Sequence, residues 1–276
     1  MTQDATTPDP GGVDPRRLRE LLTLHDHPRS AGYDPRWMVD NCMGPNPLWL
    51  LEDLAEHLDL HRGMRVLDLG CGRAMTSIFL AREFDVRVWA ADLWVPPTEN
   101  WRRVVDAGLE SSIVPLHAEA NDLPFAHAFF DAVVSVDSYH YFGTEDLYIG
   151  YITKFIRPGG QLGIAVPGVV AEVEAVPEHL QRFWEWEFLT FHSPGWWRNR
   201  WELSGQVQVE VATSQRDAWR LWKRWSEACL IASDNEFIRE SSARDVDMLE
   251  LDAGRTITFD LVVARVPTSP PDHVDV

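Results

Sequence analysis

The chain has 276 residues, 45% of them apolar and 25% charged, enough to bury a full core within one elaborated domain. Its formal net charge of −18 repels polyphosphate backbones, and the basic groups Arg102-Arg103 and Arg198 with Arg200 are short clusters of ordinary surface type, so no nucleic-acid partner is expected. No apolar run reaches the roughly 18 residues needed to span a bilayer. Met1 to Asp14 lacks a basic segment followed by an apolar core, and Cys42, Cys71 and Cys229 are too scattered for a disulfide framework or a Cys-rich zinc site. A cytoplasmic protein with no membrane partner, no bound metal and a small-molecule ligand is the expectation.

In chain order, the first dozen residues and the last ten are rich in Pro, Gly and Asp and are expected to fray. Asn46-Pro47 signals a helix start, and Leu50, Leu51, Leu54 and Leu58 follow at helical spacing. Arg65 to Leu69 reads as a strand. Further strands are predicted at Val86–Ala91, Ile113–Leu116, Ala132–Val136 and Gln161–Val166, with helices at about 74–83, 98–107 and 144–156 between them. Continuous apolar strands alternating with helices indicate a parallel sheet covered on both faces, a doubly wound α/β core. Beyond Val166 come a Trp-rich insertion, a helix from the Ser193-Pro194 cap to about Ser204, and a Val207–Val211 strand. Helices at about 215–232 and 242–251 precede a final strand, Thr256 to Val266.

Chemistry concentrates in Val66-Leu67-Asp68-Leu69-Gly70-Cys71-Gly72-Arg73-Ala74, a strand ending in a glycine turn that opens a helix. Gly70 and Gly72 permit positive φ and let a ligand lie against the backbone at the carboxyl end of the first strand, where such sheets bind cofactors. Asp92 ends the next strand 20 residues after Gly72, placed to accept from both ribose hydroxyls of a nucleoside; its alternative is a turn or helix-cap carboxylate. A dinucleotide site, with oxidoreductase function, is the rival reading, but the third glycine of its fingerprint is Met75 here.

With Ala118-Glu119-Ala120-Asn121-Asp122-Leu123-Pro124-Phe125, Phe130 to Val136 and Arg157-Pro158-Gly159-Gly160-Gln161-Leu162, these motifs from about Met64 to Val166 resemble the class I S-adenosylmethionine-dependent methyltransferase family. The resemblance implies a Rossmann-like seven-stranded sheet, mostly parallel with an antiparallel last strand. It divides the chain into an N-terminal arm and cap (1–45) and a methyltransferase domain (46–276) carrying helical lid insertions at 167–205 and 214–252. It implies methyl transfer to a small molecule, the alternative being an S-adenosylmethionine-binding protein with a non-methylating role. Asp68 would orient the glycine turn and the cofactor amino group, Gly70, Cys71 and Gly72 would admit the methionine part, and Asp92 would hold the ribose. Leu93 and Trp94 would flank the adenine, Glu119 and the Ala120 amide would meet its edge, and Ser135 to Ser138 would lie under the methionine carboxylate or sulfonium.

Eight of the 13 tryptophans fall between Trp184 and Trp225, and Phe183 to Phe191 reads equally as an ordinary core segment or as a lid over an apolar, aromatic or cationic acceptor. Arg198 or Arg200 would instead meet an acidic group on it. Trp222, Trp225 and Cys229, at i, i+3 and i+7, read as a docking face. In the loop after the fourth strand, His140 is the candidate general base. Tyr139 and Tyr141 are expected to close around the sulfonium, while Glu172, Glu174, Glu185, Glu187 and His192 are weaker candidates.

Overall fold

The computed structural model describes residues 14–268, so the predicted fraying of both ends falls almost wholly outside the described residues. Helices α1 (Pro15–Leu22), α2 (Pro35–Asp40) and α3 (Pro47–Ala55) lead into β1 (Arg65–Leu69), α4 (Met75–Phe84), β2 (Arg87–Asp92), α5 (Pro97–Asp106), β3 (Ile113–His117) and β4 (Phe130–Val136). Then follow α6 (Tyr148–Ile152), β5 (Ile156–Val169), α7 (Pro194–Leu203), β6 (Gln208–Ser214), α8 (Ala218–Ala232), α9 (Glu236–Asp252) and β7 (Ile257–Arg265). One device starts four of the helices: a side chain before a proline accepts the orphan amides of the first turn. Asp14 accepts from Arg16, Asp34 from Arg36 and Trp37, Asn46 from Leu48 and Trp49, and Ser193 from Trp196.

The seven strands form one sheet in the order β3-β2-β1-β4-β5-β7-β6. Strands β1 to β5 pair in parallel, and β7 runs antiparallel between β5 and β6. Alternate residues feed two cores: Val66 joins the one under α3, α4 and α8, while Leu67 and Leu69 join the one under α6 and α7. The order reverses between β1 and β4, which opens a crevice at their carboxyl ends.

Three predicted elements differ. The helix expected over 144–156 shrinks to α6 plus a 3-10 turn, Thr153–Phe155, because Gly143 packs against the Tyr139 ring and the following turn closes with Tyr148 donating to the Glu145 carbonyl. Strand β5 extends beyond Gln161–Val166 because β7 pairs with it from Gln161 to Val169. Helix α9 starts at Glu236, capped by Asn235, well before 242. The docking-face reading of α8 holds: Trp222, Trp225 and Cys229 are buried, and Trp222 meets Phe259 of β7 edge-on at 5.1 Å.

One buried carboxyl sits awkwardly in this sheet. Asp260 of β7 is fully buried, with only a long bond from Ser214 (3.4 Å), and burial pushes its carboxyl up to about 9. The folded state therefore holds a proton that the unfolded chain releases near pH 4, so this group's contribution is whole below that pH and is lost as pH rises toward 9. Asp260→Asn should raise Tm at pH 8 and leave it nearly unchanged at pH 4. Equal Tm values for the two proteins at both pH values would contradict this assignment.

Candidate functional site

At the crevice, β1 ends in a turn whose shape demands glycine. Gly70 has φ +74, and a Cβ there would lie 1.9 Å from Ser138 Oγ, so the loop after β4 closes directly onto its Cα. Gly72, at φ +51, leaves room for Met43 Sδ, which would be 3.0 Å from a Cβ. The Gly70 and Cys71 amides both donate to the Ala91 carbonyl at the end of β2. Behind the turn, buried Asp68 accepts the Thr76 and Ser77 hydroxyls at 2.6 and 2.5 Å, pinning β1 to the first turn of α4. Burial pushes its carboxyl up to about 6.

Asp92 closes the turn from the other side. Its Oδ2 accepts from Gly72 N (2.8 Å), and its Oδ1 accepts from Trp94 N and Val95 N (both 2.8 Å). A carboxylate has about four acceptor positions, so about one remains, on Oδ2. Asp92 thus does the work of a turn carboxylate and still presents one lone pair to the cleft. Asn100 of α5, buried, donates to the Gly72 carbonyl at 2.9 Å and fixes the far side of the turn.

The cleft has a volume of about 440 Å³. Its walls include Gly70, Cys71, Gly72, Asp92, Leu93, Trp94, Glu119, Ala120 and Tyr141, which brings most of the predicted binding residues together. Asp68, Ser135, Tyr139 and His140 are not among its walls. Asp68 and Ser135 stand behind them, Ser135 Oγ donating to the Leu69 carbonyl at 2.8 Å. Ala120 is held from below by the Tyr148 hydroxyl, which donates to its carbonyl at 3.0 Å.

The cover of the cleft comes from a different segment than the aromatic insertion. None of the lining residues comes from 167–252; Asn41, Met43, Gly44, Pro45 and Pro47 form that wall instead. Arg73 explains this arrangement: its guanidinium donates to the Asp40 and Cys42 carbonyls (2.9 and 3.4 Å) and ties the arm down. Trp225 Nε1 donates to the Gly44 carbonyl at 2.7 Å, and Cys42 Sγ lies 3.5 Å from Cys229 Sγ as a free thiol pair. The insertion instead braces the β4 loop. Trp197 and Trp201 are buried against the Tyr139 ring, both at 5.8 Å, and Phe191 meets His140 at 5.8 Å.

That packing corrects the expectation for His140. Its imidazole is 2% exposed, and burial pushes its pKa down to about 3, so it is neutral and poorly basic at physiological pH. Tyr139 is likewise enclosed by aromatic rings, and burial raises its hydroxyl far above the usual phenol range. Glu172 accepts from Ser193 N (2.6 Å) and pairs with His192, while Glu185 pairs with Arg244. None of Glu172, Glu174, Glu185, Glu187 and His192 lines the cleft. Sequence reasoning included Asp137 only within the Ser135 to Ser138 segment and gave it no role of its own; it is a half-buried wall residue at φ +54 whose carboxyl is pushed up to about 8 by burial. It stands in the same loop as the tyrosines, and its position directly after β4 was the available signal.

Two carboxylates, Asp92 and Glu119, share walls with the Asp137 carboxyl, which burial keeps protonated up to about 8, and with one guanidinium, Arg73, already engaged by the arm. Such a cleft favours a cation and disfavours a pyrophosphate, and the Gly72 amide that would face a phosphate is taken by Asp92. No group of three or more potential metal ligands occurs among the described residues. No described helix is long and apolar enough to cross a membrane.

Two outcomes follow from the turn and its surroundings. Gly70→Ala should cost at least about 2 kcal/mol of stability, from a left-handed Ala and the displaced Ser138, and a Tm unchanged within 1–2 °C, roughly the scatter of small surface changes, would contradict the packing. An NMR titration of the imidazoles should leave His140 unshifted between about pH 8 and 5; a midpoint near the free value of roughly 6.5 would restore it as a base.

Residues 66–160 match the family described as methyltransferase domain. The 27-O-demethylrifamycin SV methyltransferase of Amycolatopsis mediterranei (strain S699) is 32% identical over 137 residues, covering 47% of this chain and 50% of its own. Methyltransferase GfsG of Streptomyces halstedii is 34% identical over 117 residues, 42% of either chain. The chain thus spans about half the length of the curated relatives it matches. Phosphoethanolamine N-methyltransferase 2 of Haemonchus contortus, solved in complex with S-adenosyl-L-methionine, superposes with a TM-score of 0.69 over 91% of this chain and 60% of its own; at 16% identity this likeness is one of fold. The stretch that matches the methyltransferase domain runs from β1 to the start of β5 and so contains the strands that build the cleft.

Proposed function

We propose that this protein transfers the methyl group of S-adenosylmethionine to a small-molecule acceptor. The observation that carries this reading is the carboxylate-lined cleft built on the Gly70–Gly72 turn, which suits a ligand with a cationic sulfur and no phosphate. When bound, the cofactor supplies a methyl group already activated on sulfonium. Gly70, Cys71 and Gly72 would lie against its methionine part, and the remaining Oδ2 position of Asp92 would receive one ribose hydroxyl rather than two. Leu93 and Trp94 would flank the adenine, with Glu119 and Ala120 at its edge.

The chain's part in the reaction is then chiefly positioning and the exclusion of water, since an activated methyl needs no strong base for in-line displacement. That role fits a neutral, buried His140. Met43, Leu93, Trp94 and Tyr141 all line the cleft and are exposed, and the Trp94 and Tyr141 rings lie 6.0 Å apart. With Leu93 and Trp94 taken by the adenine, Met43 and Tyr141 are the rim residues left to the acceptor, which favours an apolar or aromatic one. An acidic group on the acceptor finds no support: Arg198 pairs with Glu202, Arg200 with Asp146, and neither lines the cleft. The acidic cleft also argues against nucleic acid, and three free thiols suit a reducing cytoplasm.

Incubating the purified protein with S-adenosylmethionine radiolabelled in its methyl group and a small-molecule extract should yield a labelled product. Cofactor that binds but is never consumed would favour a non-methylating role, and nicotinamide-dependent absorbance change without affinity for S-adenosylmethionine would favour an oxidoreductase. Asp92→Ala should weaken calorimetric binding of S-adenosylhomocysteine about tenfold to a hundredfold, the value of a hydrogen bond to a charged group plus a loosened turn. An unchanged affinity would remove Asp92 from the site.

A further inference from the structure

The order of the strands gives the cleft a direction. Glu119 and Ala120 follow β3, Asp92 ends β2, the glycine turn follows β1, and Asp137 follows β4. A cofactor whose adenosyl part lies at β2 and β3 therefore has its sulfur on the β1–β4 side. Resting on the S-adenosylmethionine reading, we propose that Asp137 faces this sulfur and makes the cleft distinguish the cationic sulfonium, present before methyl transfer, from the neutral thioether left after it.

The surroundings of Asp137 are shaped for such a role. Asp137 lines the cleft, and its backbone amide donates to the Ala165 carbonyl while its carboxyl has no hydrogen-bond or ion-pair partner among the described residues. Its φ of +54 is a left-handed conformation that Asp tolerates better than most residues. Across the cleft the N-terminal arm supplies Gly44, where a Cβ would lie 2.5 Å from Asp137 Oδ2, so glycine there keeps the carboxyl in place. An unpaired, half-buried carboxylate is costly by itself and becomes favourable once a cation stands beside it.

Among the groups that line the cleft, Asp137 is the carboxyl expected to change charge between pH 7 and 9; Cys42 of the arm, whose thiol is drawn below its ordinary value by the bond from Cys229, is not among the walls. Asp245 of α9 faces it, accepts from Trp222 Nε1 (3.1 Å) and Ser226 Oγ (3.4 Å), and has its own carboxyl pushed to about 6 by burial. Tyr141, on the same loop and also facing Glu187, has its hydroxyl raised by burial and by Asp137. Asp92, Glu119 and Arg73 occupy the remaining walls. The ligand's amino group is common to sulfonium and thioether and cancels in their ratio.

Calorimetric Kd values for S-adenosylmethionine and S-adenosylhomocysteine, measured from pH 6 to 9, test this directly. For the unmodified protein the ratio should move about tenfold in favour of S-adenosylmethionine across that range, the effect of one nearby charge in a partly buried site. Asp137→Asn and Asp137→Gly, which both accept the left-handed turn, should bind S-adenosylhomocysteine within about threefold of the parent at pH 6 and show a flat ratio. Asp245→Asn should keep the pH dependence. A flat ratio in the parent, an equal slope in the Asp137 variants, or loss of the slope in Asp245→Asn would each overturn the proposal. If neither ligand binds the parent at all, the methyl-transfer reading itself fails, a result distinct from binding with a flat ratio.

Discussion

The bond from the Gly72 amide to Asp92 Oδ2 holds the whole site together. Two strands that are neighbours in the sheet end at the same level, and the turn after one is closed by the side chain that ends the other. A charge-assisted bond of this kind is about twice as strong as a neutral one, and it is flanked by two more from the same carboxylate to Trp94 and Val95. Because the amide is used internally, the turn presents a bare backbone surface and a carboxylate rather than a ring of donors. The same geometry that shapes the cleft therefore sets its charge preference.

Two layers support that turn from opposite directions. The arm at residues 41–47 reaches over it, anchored by Arg73, by Trp225 and by the meeting of Cys42 with Cys229. Beneath the β4 loop, Trp197 and Trp201 pack on Tyr139, and truncating a buried ring of that size costs about 3–5 kcal/mol in comparable cores. The aromatic enrichment that suggested a lid is thus spent on rigidity. The exposed apolar rim of the cleft comes from elsewhere: Met43 of the arm, Leu93 and Trp94 after β2, and Tyr141 after β4.

The core of the fold was legible because its signals are local. Continuous apolar strands, proline-preceded caps and the spacing from Gly72 to Asp92 each follow from backbone geometry within a few residues. Asp14-Pro15 and Asp34-Pro35 carry the same cap signal as Asn46-Pro47, yet the two helices they start were not among the predicted elements. What stayed hidden depends on distant pairings. Cys42 and Cys229 are 187 positions apart, so no spacing rule joins them. His140 sits in the loop where a base is sought, yet its chemistry is decided by Phe191 and the burial around it, contacts supplied from 51 residues away in sequence. Asp137 illustrates the converse. Its position was visible, but its value as an unpaired carboxyl rests on Gly44 lying opposite, which only the folded arm reveals.

A crystal structure with S-adenosylhomocysteine soaked or co-crystallised is the most direct test of the central claim. The ligand should lie along the carboxyl ends of β3, β2, β1 and β4, with its methionine part against Gly70 and Gly72, a ribose hydroxyl within hydrogen-bond distance of Asp92 Oδ2, and its sulfur toward the β4 loop. Density for the ligand elsewhere, or in this cleft with the Gly72 to Asp92 bond broken, would contradict the account.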